Sequence, residues 1–157
     1  MKEEAIKKFS MSIRIYWGDC DPAGIGYYGN FFRWFEMAEE DLFLALGFSR
    51  TDVMRRYQIG FPRVEVWSRF RKPIPEGSRI QVTTWITKRT RTALVFNAEI
   101  RREGESDVAA EAHYRMVCVK RPEFKPVPVP EEVLHLLRDY IPPLTKHNPE
   151  HKSEPRA

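Results

Sequence analysis

Trp17-Gly18-Asp19-Cys20-Asp21-Pro22-Ala23-Gly24, leading within a few residues into Asn30-Phe31-Phe32-Arg33-Trp34-Phe35-Glu36, sets two carboxylates in a tight, glycine-bearing loop directly before an amphipathic helix. A loop of this kind can hold an acid or base beside the free backbone N–H groups of a helix N-terminus, where partial positive charge is available to a developing oxyanion. Asp, Pro and Gly are also the residues of an ordinary strand-to-helix turn. Loop chemistry alone leaves both readings open.

Upstream of the loop, Met11 to Trp17 alternates, with Ile13, Ile15 and Trp17 on one side and Ser12, Arg14 and Tyr16 on the other, the pattern of a half-buried strand. Downstream, from about Asn30 to Leu46, Phe31, Phe35, Ala38, Leu42 and Ala45 follow a helical stripe, while Arg33, Glu36 and Glu40 share another face. Gly47 ends this helix. Ser49 and Asp52 then have the spacing of a capping box for a short helix through about Tyr57, and Gly60 and Pro62 break the pattern after it.

Four more runs read as strands: Val64 to Arg71, Arg79 to Thr87, Ala93 to Arg102, and Val108 to Val119, each separated from the next by turn residues. In the last, Val108, Ala110, Ala112, Tyr114, Met116 and Cys118 share a face. Four consecutive strands with short connections predict an antiparallel meander, and a sheet with one apolar face needs a cover. The long helix is that cover, so patterning alone gives an α+β domain. Beyond Pro122, Lys-Pro-Val-Pro-Val-Pro is expected to be extended, and Pro130-Glu-Glu to start a terminal helix reaching about Tyr140. The expected organisation is a flexible N-terminus over 1–10, a single domain over 11–141, and a polar, disordered tail over 142–157.

Composition bounds the function. At 157 residues, with 42% hydrophobic, 31% charged and 13% aromatic content, the chain reads as one soluble domain with a substantial core. No apolar run reaches the ~18 residues of a spanning helix, and Met1-Lys-Glu-Glu-Ala-Ile-Lys-Lys has no apolar segment behind its charges, so neither membrane nor export is expected. The two cysteines, Cys20 in the loop and Cys118 on an apolar strand face, suit reduced thiols and a cytoplasmic location.

Gly18-Asp-Cys-Asp-Pro-Ala-Gly-Ile25, followed by Tyr28, Asn30, Arg33 and Trp34, resembles the signature of the 4-hydroxybenzoyl-CoA thioesterase family. The match is specific over about 20 residues at the loop and helix, and elsewhere rests on a compatible order of elements. The resemblance implies a hotdog fold, in which an antiparallel sheet wraps a long central helix. It implies hydrolysis of an acyl-CoA thioester, with 4-hydroxybenzoyl-CoA-like aromatic acyl groups among the expected substrates, and no cofactor. Thioester hydrolysis needs water or a nucleophile aimed at the acyl carbonyl and stabilisation of the resulting oxyanion. An unperturbed Asp, with a pKa of ~3.9, is ionised at neutral pH and can serve as nucleophile or general base. Spacing does not say which Asp acts, since Asp21 before Pro22 is biased toward extended backbone and Asp19 could cap the loop amides. The resemblance assigns the role to Asp21, gives the carbonyl-polarising backbone N–H to Tyr28, and leaves Asp19 to loop structure. Gly26 departs from the larger apolar residue common at its position in the family, which puts the acyl group in question.

Tyr27, Tyr28, Phe31, Phe32 and Trp34 suggest an aromatic-acyl pocket, although aromatics at helical spacing are more often core or subunit interface. Basic residues cluster at Arg69-Phe-Arg71-Lys72, Lys88-Arg89-Thr-Arg91, Arg101-Arg102 and Lys120-Arg121. One at a time these read as solvated strand ends. Together they suit the phosphates of coenzyme A, and by the resemblance Arg89 and Arg91 are the expected substrate-binding pair. Net charge of +4 keeps a nucleic-acid-binding module as an alternative, without any RNP, Cys/His or helix-turn-helix signature. A non-catalytic acyl-CoA-binding protein on the same fold would need no loop carboxylate, and Asp21 is present. Asp19, Cys20 and Asp21 are contiguous, and His113, His135, His147 and His151 show no ligand spacing, so no metal site is expected. A curved sheet of this size leaves an edge and an apolar surface for a second subunit, and the resemblance points equally to a homodimer or homotetramer.

Overall fold

In the computed structural model, which describes residues 6–144, the stripe of the long helix is buried as its spacing requires. This helix, α1 (Tyr28–Ala45), sends Phe31, Trp34, Phe35, Ala38, Leu42 and Phe43 into the core. It starts two residues before Asn30, and Gly47 at φ +85° turns the chain where a Cβ would be strained. α2 (Arg50–Tyr57) follows, its first turn capped by the Ser49 hydroxyl, which accepts from the Asp52 N–H at 3.4 Å.

The strands are β1 (Phe9–Arg14), β2 (Ile59–Gly60), β3 (Arg63–Phe70), β4 (Arg79–Arg89), β5 (Ala93–Arg102), β6 (Val108–Val117), β7 (Val119–Lys120) and β8 (Lys125–Pro126). Five of them form one antiparallel sheet in the order β1-β4-β5-β6-β3. Its concave face carries Ile80, Val82 and Ile86 of β4, Phe96, Ala98 and Ile100 of β5, and Ala110, Ala112, Tyr114 and Met116 of β6, all packed in one core with the buried face of α1. The Phe96 and Tyr114 rings stack with centroids 5.4 Å apart. A long helix against an antiparallel sheet is the hotdog architecture that the loop signature implies.

The strand order corrects the expected four-strand meander, because only β4, β5 and β6 are consecutive neighbours. β3 lies beside β6, and β1 takes the place beside β4. The connection after β3 explains this. Pro73-Ile74-Pro75 has two residues without an N–H and cannot close a tight hairpin. Instead Ile74 is fully buried and its carbonyl accepts from the Gly26 N–H at 2.8 Å, so the connection docks on the loop before α1.

Three further differences are local. The first strand begins at Phe9 and stops at Arg14, and Trp17, expected inside with Ile13 and Ile15, is 80% exposed in a 3-10 turn over Trp17–Asp19. The Asp19 carboxylate accepts from the Tyr16 N–H at 2.9 Å and the Asp19 N–H donates to the Tyr16 carbonyl at 2.9 Å, which withdraws this backbone from strand pairing. The strand expected over Val108 to Val119 divides, and its end, β7, joins β2 and β8 in a small second sheet. The terminal helix, α3 (Glu131–Leu136), ends before Tyr140. At the N-terminus, Lys7 binds Asp139 through its backbone N–H at 3.0 Å and its Nζ at 2.8 Å. Residues 1–5, and 145–157 of the expected tail, lie outside the described residues. Among the described residues no helix is long and apolar enough to cross a membrane.

Candidate active site

The two loop carboxylates take different local roles. Asp19 ties the loop to the helix: its Oδ2 accepts from the Tyr16 N–H, and its backbone carbonyl accepts from the Asn30 side-chain amide at 2.9 Å and from the Tyr27 N–H at 2.9 Å. These bonds fix the entry angle of α1. Asp21 closes the next turn, where its Oδ1 accepts from the Ala23 N–H at 2.8 Å and its carbonyl from the Gly24 N–H at 2.9 Å, with Gly24 at φ +75°. The extended bias before Pro22 therefore does not point Asp21 out of the turn. Among the described residues no donor reaches its Oδ2, and the side chain is half-buried.

The start of α1 brings backbone donors to the same loop. Tyr28 is its first residue, no side chain caps the turn from Tyr27, and no acidic residue occupies the first turn. The backbone N–H groups of Tyr28 and Gly29 have no acceptor within the helix, so they remain open to an external oxygen. Asp21 and Tyr28 lie at one end of the molecule, tied together through the Asp19 bonds. Cys20 between the carboxylates has its thiol raised above its ordinary value by burial and by Glu76, Asp19 and Asp21, which makes it a poor thiolate.

Arg89 and Arg91 lie elsewhere. The Arg79 end of β4 is bound to this loop, through the Ile15 N–H to the Ser78 carbonyl at 2.9 Å and the Gly77 N–H to the Ile15 carbonyl at 2.9 Å. The ten-residue rise along β4 then carries Arg89 about 33 Å away. A register shift between Ile86 and Lys88 sets Arg89 opposite Leu94 on the core side, and its Nε is buried with no partner among the described residues. Arg91 is exposed in the following turn. Within one subunit the structure does not bring this pair to Asp21.

What α1 does bring together is a cluster that the sequence reading missed. Glu39 is fully buried, accepts from Arg50 Nη1 at 2.6 Å, and accepts from Arg63 Nη2 at 2.9 and 2.8 Å through its two oxygens. Glu36 and Glu40 also lie within 3.2 and 3.4 Å of Arg50. Burial works against the Arg50 guanidinium, but Glu39, Glu40 and Glu36 raise it above its ordinary value. The signal was present in the sequence, since Glu39 sits four residues after Phe35 and three before Leu42, in the buried register of the helix. A crevice of about 380 Å³ opens between α1 and β3 over this cluster, walled by Phe32, Phe35 and Val66, with Tyr114 at its inner side.

The five aromatics divide. Phe31 and Trp34 are core, at 4% and 2% exposure, while Tyr27, Tyr28 and Phe32 remain exposed beside the β3 edge, where Phe70 meets Tyr28 and Phe31. Gly26 is explained by Trp34, because a Cβ there would lie 2.9 Å from the indole Cη2. His113 is partly buried and hydrogen-bonded to the Asn97 side chain at 2.8 Å, and His135 is exposed on α3; His147 and His151 lie outside the described residues. Cys118 is buried, its thiol pushed up to about 11 by burial.

Residues 15–137 match the sequence profile of the thioesterase-like superfamily. The 1,4-dihydroxy-2-naphthoyl-CoA hydrolase of Thermosynechococcus vestitus is 27% identical over 140 residues, 89% of this chain and 90% of that protein. The acyl-CoA thioester hydrolase YbgC of Escherichia coli O157:H7 is 25% identical over 126 residues, 80% of this chain and 92% of that one. The structure of 4-hydroxybenzoyl-CoA thioesterase from Pseudomonas sp. strain CBS-3 superposes with a TM-score of 0.74 at 25% identity, over 83% of this chain and 99% of that chain.

Proposed function

The chain belongs to the thioesterase-like superfamily, and from that premise we propose that it hydrolyses acyl-CoA thioesters with Asp21 as nucleophile or general base. The observation that carries this reading is the Asp21 turn: one carboxylate oxygen is fixed by the Ala23 N–H while Oδ2 stays open, at the end of the molecule where α1 presents unaccepted N–H groups. The thioester carbonyl oxygen takes the Tyr28 N–H, which holds the negative charge that develops as the carbonyl carbon becomes tetrahedral. Either Asp21 takes a proton from the attacking water, or its carboxylate attacks and a water then cleaves the mixed anhydride. In both cases the C–S bond breaks and coenzyme A leaves as the thiolate. Base assistance contributes ~10²–10⁴-fold and one oxyanion donor about 3 kcal/mol.

Arg89 and Arg91 enter this reading through a second subunit. β3 is an edge strand with Val64, Val66, Trp67 and Phe70 exposed, at 57, 48, 47 and 44%, which favours antiparallel pairing with the same strand of a second copy. A two-fold axis at β3 exchanges the ends of the sheet. The partner's β4–β5 turn then lies at the Asp21 end, roughly 19 Å across four strand spacings from β3 rather than about 33 Å along β4. That separation suits a coenzyme whose thioester end lies at Tyr28 and whose phosphates lie on the neighbouring subunit.

The test is Asp21→Asn across a panel of aromatic and aliphatic acyl-CoAs. Asn retains the acceptor for the Ala23 N–H, so the fold and substrate binding should persist while kcat falls by at least ~10²-fold. Near wild-type turnover would remove Asp21 from the chemistry. Binding of acyl-CoA by the wild type with no hydrolysis anywhere in the panel would favour a non-catalytic binder.

A further inference from the structure

We propose that Asn30 is a positioning residue for the hydrolysis: its side-chain amide holds the first turn of α1 against the Asp21 turn without occupying the N–H groups that the thioester carbonyl needs. This rests on the hydrolase reading above for the roles of Asp21 and Tyr28. The Asp21 turn is closed at its base, where Cys20 and Gly26 form an antiparallel bridge and the Asp21 N–H donates to the Ile25 carbonyl at 2.9 Å. Just outside that base, the Asp19 carbonyl joins the turn to α1, accepting from the Tyr27 N–H at 2.9 Å and from Asn30 Nδ2 at 2.9 Å. The Tyr27 bond stops at the residue before the helix. The Asn30 bond reaches past Tyr28 and Gly29 to the third residue of α1. Among the described residues it is the one side-chain hydrogen bond between the loop and the first turn of the helix.

The direction of that bond is what suits the chemistry. A helix start is ordinarily secured by acceptors, an N-cap Ser, Thr, Asp or Asn, or a Glu at the third position reaching back to the free N–H groups. Each such acceptor would compete with a thioester carbonyl for the same donors. α1 carries neither, since Tyr27 makes no capping bond and the first turn has no acidic residue. Gly29 keeps the turn bare as well, because a Cβ there would lie 2.7 Å from Cε1 of the Tyr27 ring. Asn30 occupies the third position and donates outward, to the loop carbonyl, instead of accepting inward from the helix. The turn is restrained and the Tyr28 and Gly29 N–H groups stay free. Asn30 thereby sets the alignment of Asp21 with the oxyanion donor while touching neither reacting group.

The experiment compares Asn30→Ala and Asn30→Asp with the wild type on an acyl-CoA that the wild type hydrolyses, with kcat referred to the sites titrated by a non-hydrolysable CoA thioether. In Asn30→Ala kcat should fall about 10–100-fold while KM and the thioether Kd stay within about threefold, because alignment for the chemical step is lost and ground-state contacts are not. Asn30→Asp keeps the volume but at neutral pH can only accept. Its charge favours a helix N-terminus, so its melting temperature should equal or exceed that of Asn30→Ala, yet its kcat should fall at least as far because the carboxylate takes up the free N–H groups. A role confined to stability would make kcat follow the melting temperature across the two variants. That result, or near wild-type kcat in Asn30→Ala, overturns the proposal. If Asp21→Asn lowers kcat and the Asn30 variants do not, the hydrolase reading stands and the positioning role falls. If both Asn30 variants lower kcat and Asp21→Asn does not, Asp21 leaves the chemistry and the positioning of the Tyr28 N–H stands.

Discussion

Replacing Glu39 by Gln separates the buried charge cluster from the rest of the fold's stability. The side chain keeps its volume, so no cavity opens, but the negative charge that three Arg–carboxylate contacts of 2.6 to 2.9 Å converge on is removed. Breaking a buried ion pair from one side costs about 3–5 kcal/mol, because the surviving charge stays desolvated. Here two features reduce that figure. Arg50 and Arg63 keep 12% and 28% of their side-chain surface in water, and Glu36 remains 3.2 Å from Arg50 and 3.8 Å from Arg63. The lower end, about 3 kcal/mol, is therefore expected, which for a domain of this size lowers the melting temperature by about 6–12 °C. Urea unfolding at fixed protein concentration should show a lower midpoint with an unchanged m-value. Glu36→Gln is the control: its carboxylate is 49% exposed, and such a pair contributes about 0–1 kcal/mol. A loss below about 1 kcal/mol for Glu39→Gln, or equal losses for the two variants, would refute the view that burial makes Glu39 the centre of this network.

Three further outcomes follow from the same geometry. Removing Arg89 and Arg91 together should raise KM for an acyl-CoA far more than for a truncated pantetheine thioester lacking the nucleotide, and equal changes would show that the pair does not touch the phosphates. Gly26→Ala should destabilise the fold by about 1–3 kcal/mol, since its Cβ would press on a buried indole, and a Trp34→Phe background should absorb most of that loss. Sedimentation at micromolar concentration should give a dimer or tetramer, and Val66→Lys on the β3 edge should shift it toward monomer; a wild-type monomer would contradict the paired-subunit site.

What the sequence made legible follows from where one residue's environment is set by its near neighbours. α1 could be read because Phe31, Phe35, Ala38 and Leu42 repeat at a spacing that only a helix on a core satisfies, and Gly47 stops it locally. The order of the sheet could not. Strands β3 to β6 announce themselves by alternation, but alternation is silent about which strand lies beside which, and the two prolines around Ile74 were the sign that β3 does not turn back onto β4. The division between Asp19 and Asp21 was equally closed to spacing, because both residues sit in the same turn chemistry: each carboxylate accepts one backbone N–H, Asp19 from Tyr16 and Asp21 from Ala23, and what sets Asp19 apart is its backbone carbonyl, which holds Asn30 and Tyr27 at the start of α1. The setting of Arg89 was hidden for a related reason: in a run of basic residues it reads as solvated, and a single bulge after Ile86 turns it toward the core side. Glu39 carries the reverse lesson. A charge placed in the apolar register of a helix was visible beforehand, and because an unpaired buried carboxylate is too costly to keep, that placement already required cationic partners from elsewhere in the chain. Arg50 and Arg63 meet that requirement, Arg63 from the wall of the crevice between α1 and β3, so the charge that the helix buries is neutralised by residues that only the tertiary fold brings to it.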